Sequence, residues 1–521
     1  MKNPVDATLK PCCHPSRPGD VARPLPLATD MEIELKLALD PAHIPRLKRA
    51  PLLAGVKSAR QVLHSIYYDT PDFALTRRRI ALRTRRVGYH WVQTVKAAAP
   101  SVGALSARPE WEMQVVDKIP DLTILPAEAQ ALFAGLHLAD LAPVFATTVR
   151  RTTWQLTLHE TAMEIALDQG QVVAGDRQAE ICELEIELKA GPQEALMDAA
   201  LALLDQVPLR IDSRSKAAIG YQLAGVSRLT PVRAASPQLR PTQAAGQAWS
   251  TLLAAALTQL VDNLPGFLEQ PDEIEFLHQL RVALRRLLSL ARLLDGEFPA
   301  WAAPFRALME RLNPARDWDV FMLETLPRLN APADSAFLAC AGAAAQAARQ
   351  AAQAALTGAD FTRAVLNLGR ALTTPPQLDL GAAAWAARVL DQRLRTLRRQ
   401  GDKLAAQPNP VNRHRLRIAV KKLRYASDAL AGLYGKHGGK HGARSLAGLA
   451  ALQQDLGALN DLVVAERLLH GLAQSHPEIA FAAGRVVGLL AAAAQRDQAT
   501  DRRLLRDLAA IKPFWRQPSG R

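Results

Sequence analysis

The chain is predicted to be an α+β protein of more than one domain: a closed antiparallel β-barrel with flanking helices, then an all-α part of two pseudo-symmetric helical bundles. Three observations predict this. Charged and apolar residues alternate with period 2 in segments up to about residue 225, the spacing of strands. From Ala244 onward alanine and leucine dominate and the apolar period becomes 3.6. A ten-residue motif recurs within that second part at an offset of 136 residues. A length of 521 residues also exceeds what one core sustains.

Met31-Glu-Ile-Glu-Leu-Lys-Leu-Ala-Leu places Glu32, Glu34 and Lys36 on one face of a strand. Ile80-Ala-Leu-Arg-Thr-Arg does the same for Arg83 and Arg85, Glu110 and Glu112 alternate around Trp111, and Glu183, Glu185 and Glu187 share a face of the run from Ile181. Such strands either turn their charges to water or curl with the charges inward. Acid pairs mixed with Arg and Lys favour the second, a polar lumen suited to a divalent cation and a polyanion. Short helical structure is expected between Pro41 and Leu53, and a clear helix over Glu194–Leu204.

With these residues in order, residues 31–225 resemble the CYTH superfamily, the triphosphate tunnel metalloenzymes. Glu-Ile-Glu-Leu-Lys matches its ExExK signature, and Arg83 and Arg85 its R-x-R strand. Lys96 matches the lysine of the next strand, and Arg151, three before Trp154, its arginine. Asp168, followed by Gln-Gly, matches the aspartate before a hairpin; Glu183 and Glu185 match the second E-x-E, and Lys216 the C-terminal lysine. Arg150 stands beside Arg151, and Glu187 could replace Glu183. The resemblance implies that Glu32, Glu34, Asp168, Glu183 and Glu185 hold Mg²⁺ or Mn²⁺. It implies that Lys36, Arg83, Arg85, Lys96, Arg151 and Lys216 bind a triphosphate, and that Glu32, Glu34, Lys36 and Glu185 are catalytic.

The formal net charge is +14, and residues 31–228 contribute none of it, with 23 bases against 23 acids. The excess lies in the later part, which points to a polyanionic partner. The four cysteines, Cys12, Cys13, Cys182 and Cys340, form neither a zinc spacing nor a disulfide framework. No apolar run approaches the ~20 residues of a spanning helix, so a cytoplasmic protein without membrane contact is expected. Residues 1–30 read as a disordered extension without a signal-peptide core, and the motif at Met31 marks that methionine as the expected start. Pro231, Pro237 and Pro241 mark a linker over 229–243 between a domain at 31–228 and another at 244–515, each expected to fold on its own.

The repeat pairs His278-Gln-Leu-Arg-Val-Ala-Leu-Arg-Arg-Leu with His414-Arg-Leu-Arg-Ile-Ala-Val-Lys-Lys-Leu. In each copy leucines at 3-4 spacing form a buried stripe and the cations occupy another face. Two basic stripes on paired bundles can follow a linear polyphosphate, as Lys and Arg follow a nucleic acid backbone. This half resembles the CHAD domain, associated with inorganic polyphosphate binding. His278, Arg281, Arg285, Arg286, His414, Arg417, Lys421 and Lys422 are the expected binding residues. Aromatics are only 5% of residues and none interleave the stripes, which disfavours nucleic acid. His64, His90 and His159 read as structural, and His437-Gly-Gly-Lys-His441 as a glycine-rich basic loop.

The tandem order resembles the bacterial inorganic triphosphatases. It implies metal-dependent hydrolysis of inorganic triphosphate to pyrophosphate and phosphate, with long-chain polyphosphate as a further partner and an association with polyphosphate granules. A class IV-like adenylate cyclase or a thiamine triphosphatase would use the same tunnel, and a non-catalytic polyphosphate scaffold is the third reading.

Overall fold

Ten strands make one sheet: β1 (Met31–Leu39), β2 (Ser58–Asp69), β3 (Ile80–Val87), β4 (His90–Ala97), β5 (Ser101–Val102), β6 (Leu105–Val115), β7 (Ala142–Leu158), β8 (Thr161–Ala174), β9 (Arg177–Ala190) and β10 (Leu209–Ile211). The computed structural model describes residues 31–516 except 98–100, 137, 295, 297, 332–333 and 495–497. The 1–30 extension with Cys12 and Cys13 lies outside them. The order β1-β9-β8-β7-β2-β3-β4-β6 returns to β1, because Met31–Leu35 pair with β6 while Glu34–Ala38 pair with β9. The result is a closed eight-stranded antiparallel barrel.

Alternation sorts the two faces. Leu35, Leu37 and Leu39 point outward into the core, and Glu32, Glu34 and Lys36 point into the lumen. Helix α1 (Glu194–Leu204) covers the outer face, burying Leu196, Ala200 and Leu203 at 3-4 spacing. On another side Leu82, Val95 and Trp111 pack under Leu122, Leu125 and Phe133. Helix α2 (Lys216–Leu223), capped by the Ser215 hydroxyl accepting from Ala218 N at 3.1 Å, closes one end of the barrel. There Leu63, Tyr67, Phe145, Val149, Val172, Ile181 and Tyr221 form an apolar plug on the inward face. Gly220 is required at this seam: a Cβ there would sit 2.1 Å from the Phe145 ring. Between Pro41 and Leu53 the chain makes only short helical turns.

The second half is helical throughout. Its first bundle contains α3 (Ala245–Asp262), α4 (Ile274–Ala291), α5 (Ala302–Val320), α6 (Ser335–Thr357) and α7 (Ala359–Thr373). The second contains α8 (Ala382–Ala406), α9 (Pro410–Leu430), α10 (Gly435–Ser475), α11 (Ala480–Ala494) and α12 (Gln498–Ala509). Packing repeats in order: α3 on α4, α4 on α5 and α5 on α6 are matched by α8 on α9, α9 on α10 and α10 on α11. At the bundle starts Ala245 N donates to Leu380 O (3.0 Å) and Ala382 N to Gln243 O (2.9 Å). This reciprocal pair joins equivalent positions and lies on the pseudo-twofold. The segment at His437–His441 was expected as a loop; it is part of α10, so helix propagation through α10 overrides its glycines.

The expected independence of the halves meets a core that runs across both. Helix α7 lies on α1, with Met197 against Gly369, Thr362 Oγ1 donating to Leu209 O at 2.8 Å, and Arg363 paired with Asp205 at 2.7 Å. The 229–243 segment is also tied down: Asn263 Nδ2 donates to Val232 O and Val232 N donates to Asn263 Oδ1, both at 2.9 Å. Each large apolar side chain exposed by removing a half forfeits about 1.5–3 kcal/mol. A fragment of residues 31–228 is therefore expected to bind a hydrophobic dye and to melt below the full chain. A fragment with the full chain's melting temperature and no dye binding would show that the barrel needs no cover.

Candidate active site

The inward faces of the barrel strands surround a cavity of about 210 Å³. Strand register sets the neighbours: Lys36 lies opposite Glu185, Glu32 opposite Arg108, Lys96 opposite Glu110, and Asp168 opposite both Arg151 and Glu183. Opposite charges thus meet across strands as well as along them.

The innermost group is a knot of three acids and three bases. Lys216 Nζ contacts Asp168 (2.6 Å), Glu185 (2.9 Å) and Glu183. Lys36 Nζ lies 3.1 Å from Glu185 and 3.4 Å from Glu183. Arg151 is bidentate on Asp168, with both bonds 2.7 Å, and also reaches Glu185. For Glu185, Asp168, Lys36, Lys216 and Arg151 burial opposes the charge, yet the mutual attraction outweighs it. The Glu185 and Asp168 carboxyls are held below their usual range, and Lys36, Lys216 and Arg151 are pushed up.

Nearer the mouth, Lys96 bonds Glu32 (2.6 Å) and Glu110 (3.0 Å), while Arg108 bridges Glu32 (3.0 Å) and Glu34. Burial alone would raise Glu32, but Lys96 and Arg108 bring it down to about 2. Glu110 goes the other way, up to about 7, because burial and the neighbouring Glu32 outweigh Lys96 and Arg83.

Arg83 and Arg85 are the least satisfied cations. Arg83 reaches Glu110 and Glu112 only at 3.8 and 3.7 Å, and its buried Nε has no hydrogen-bond partner. Arg85 donates to Ser65 Oγ at 3.1 Å and has no carboxylate within ion-pair distance among the described residues. Burial, Arg83 and Arg151 lower it to about 10. A recessed guanidinium repelled by two others is a receptor for an anion.

Glu32, Glu34, Lys36, Arg83, Arg85, Lys96, Arg151, Glu185 and Lys216 all line the cavity. Asp168 and Glu183 lie beneath its wall, within the knot, and Glu187 is on the wall itself. Arg150 is exposed on the outer side of β7. Asp168 sits inside β8, which runs on to Ala174, rather than immediately before the hairpin. Sequence reasoning left Arg108, Glu110, Glu112 and Glu164 out of the site, although all four line it. The first three stand at alternate positions of Arg108-Pro-Glu-Trp-Glu, a signal already in the chain.

Carboxylate oxygens of Asp168, Glu183 and Glu185 lie within 4.8 Å of one another. These three carboxylates offer an all-oxygen donor set of the kind a hard divalent cation takes. Glu32 and Glu34 are not in that trio; Arg108 holds them together higher in the lumen.

In the helical half, α4 packs against α9. Arg281, Arg285, Arg417 and Lys421 repel one another, and Arg281 Nε and Arg285 Nε lack hydrogen-bond partners. Burial and these neighbours lower Lys421 to about 8. His278 belongs to this group and is half-buried, while His414 is exposed. Burial and Arg316 push His278 below its ordinary pKa, so it gains its proton at lower pH than a free histidine. Arg286 leaves the stripe: it donates to Gln259 (2.8 Å) and Ala235 O (3.0 Å). Lys422 leaves it too, facing Arg292 and Arg393. Position on the helix separates both from the crossing.

The CYTH domain family matches residues 30–221 and the CHAD domain family residues 251–470. An inorganic triphosphatase of Haemophilus influenzae is 33% identical over 205 residues, 38% of this chain and 56% of that protein. The chain thus spans about half the length of this curated relative. The crystal structure of the CHAD domain from the plant Ricinus communis covers 54% of this chain and 98% of its own, at 34% identity and TM-score 0.50. A Pyrococcus horikoshii OT3 protein aligns over 37% of this chain and 98% of its own, at 19% identity and TM-score 0.26.

The Glu110 carboxyl gives a pH signature. Its folded pKa, about 7, lies above the usual 4.5, so the fold favours its protonated form. The stability this contributes is present below pH 4.5 and lost as pH rises towards 7. In Glu110→Gln that loss is expected to vanish, measured as a smaller fall in denaturation midpoint between pH 5 and 7.5 than in the unmodified chain.

Proposed function

Because the chain carries a CYTH domain followed by a CHAD domain, we propose that its barrel hydrolyses inorganic triphosphate and its helical half binds long-chain polyphosphate. Arg85 carries the first reading: a recessed cation without a carboxylate partner, beside Arg83 with an unpartnered Nε, suits a phosphate chain and little else. The surrounding Lys36, Lys96, Arg151 and Lys216 extend that cationic track.

In this reading Glu32, Glu34, Asp168, Glu183 and Glu185 hold Mg²⁺ or Mn²⁺, which when bound supplies Lewis-acid polarisation of phosphate oxygens and a more acidic water. The chain's own cations do the rest. Lys36, Lys96, Arg151 and Lys216, now paired with carboxylates, are placed to take phosphate oxygens instead. Arg83 and Arg85 grip the chain from β3, the strand next to that of Lys96. Attack by water on the terminal phosphorus breaks its bond to the bridging oxygen, and these fixed cations stabilise charge gathering on the pyrophosphate that leaves. No protein nucleophile is required. The 33% identity to an inorganic triphosphatase supports this substrate.

Glu34→Gln is expected to abolish metal-dependent hydrolysis of tripolyphosphate while circular dichroism stays unchanged; near-normal turnover would remove the site. Arg85→Ala is expected to cost about 2–4 kcal/mol of transition-state stabilisation, read from kcat/KM. Tripolyphosphate, thiamine triphosphate and ATP, assayed side by side, separate this reading from its relatives on the same barrel.

The cations that converge where α4 crosses α9 support the second reading. The Arg281→Glu, Arg417→Glu double variant should weaken long-polyphosphate binding by at least tenfold. In the unmodified chain affinity should fall steeply with salt, and again as pH rises through about 8, where Lys421 loses its proton. A binding titration against polyphosphate and DNA checks all three; equal affinity for both polymers would leave only a generic basic surface.

A further inference from the structure

Helices α4 and α9 carry the 136-residue repeat, so side chains on one have counterparts on the other. Arg286 and Lys422 are counterparts, as are Arg292 and Asp428. The pseudo-twofold therefore sets Arg286 near Asp428 on one side and Lys422 near Arg292 on the other. One side has an attractive pair and the other a repulsive one.

The repulsive side opens into a cavity of about 660 Å³ lined by Arg292, Arg388, Arg393 and Lys422. The reciprocal hydrogen bonds at the bundle starts fix the register of α3 against α8. In that register Arg388 and Arg393 stand where the first bundle has Thr251 and Ala256. The equivalent set, Arg286, Asp428, Thr251 and Ala256, sums to zero charge; the cavity set sums to four positive charges. No acid lines the cavity among the described residues; Asp295 and Glu297, which flank Gly296, lie outside them. Trp385 is on the wall, 4% exposed, and its Nε1–H has no acceptor. Arg292 donates to Gly296 O (3.1 Å) and lies over the Phe298 ring, and Arg393 donates to Arg292 O (3.3 Å), but among the described residues none of the four cations has a carboxylate within ion-pair distance, and the buried donor is unused.

We propose that this cavity is a second phosphate site, separate from the α4–α9 crossing, that takes a short run of phosphate groups. Two sources share that chemistry: free pyrophosphate, and the end of a long polyphosphate chain. The inference rests on the reading that the helical half meets phosphate polyanions, but uses different residues.

The test is calorimetric titration of the full chain with pyrophosphate and with long polyphosphate, in chelator so that no turnover occurs. Three variants are compared: Arg388→Gln with Arg393→Gln, Arg388→Gln alone, and Arg281→Glu with Arg417→Glu. The cavity double variant should lose one class of pyrophosphate site, weakened at least tenfold, while tripolyphosphate hydrolysis proceeds at the unmodified rate. The single variant, whose side chain is exposed, should show a smaller loss with an unchanged melting temperature. The crossing variant should keep that class, and its polyphosphate loss reports on the crossing alone. A cavity variant that also loses polyphosphate affinity identifies chain ends as the source; one that keeps it identifies free pyrophosphate. A pyrophosphate isotherm identical in the cavity variants and the unmodified chain overturns the proposal.

Discussion

Everything in the barrel depends on charge neutralisation inside a closed sheet. Moving an ion out of water is costly, and removing one partner of a buried pair costs about 3–5 kcal/mol. The lumen meets this by interleaving acids and bases across strand register, so that Lys216, Lys36 and Arg151 each serve more than one carboxylate. Strand β1 is central to the arrangement. It closes the barrel by pairing on both sides, and its inward residues Glu32, Glu34 and Lys36 join the mouth group to the inner knot.

Much of this was legible in the chain. Alternation around Glu32, Arg83 and Glu185 identified the inward faces, and Glu194–Leu204 forms the helix its apolar spacing predicts. Alternation could not say which acids would be compensated, because that depends on cross-strand neighbours; the pairing of Arg108 with Glu32 became visible only when their register was known. The helical repeat paired the helices, and Arg286 and Lys422 were expected to bind polyphosphate together with Arg281 and Arg417, although they stand off that stripe. A hundred degrees of helical rotation per residue separates them, and tertiary contacts then give each a different set of neighbours. Prolines at 231, 237 and 241 mark a linker, and the sequence does not show that Asn263 holds that stretch through two hydrogen bonds with Val232.

The two halves also meet next to Lys216 of the inner knot. Glu269, between α3 and α4, accepts from Arg214 and from Gln222 Nε2 (2.8 Å), one before α2 and one within it. Lys216 lies between those two anchors. The helical half therefore braces the segment that delivers Lys216 to the knot, and the shared core makes that brace stiff.

The apolar plug beneath α2 gives the barrel one working door. Glu112 and Lys189, the more exposed members of the charged wall, belong to the opposite end. In the proposed reading a chain of phosphates enters end first, with the rest trailing outside. Whatever leaves must return along the path of entry, so departure of one molecule and arrival of the next are mutually exclusive events. In the proposed reading the occupant of such a cul-de-sac must clear the doorway before the next can enter, because the plug of Leu63, Tyr67 and Phe145 fills the far end.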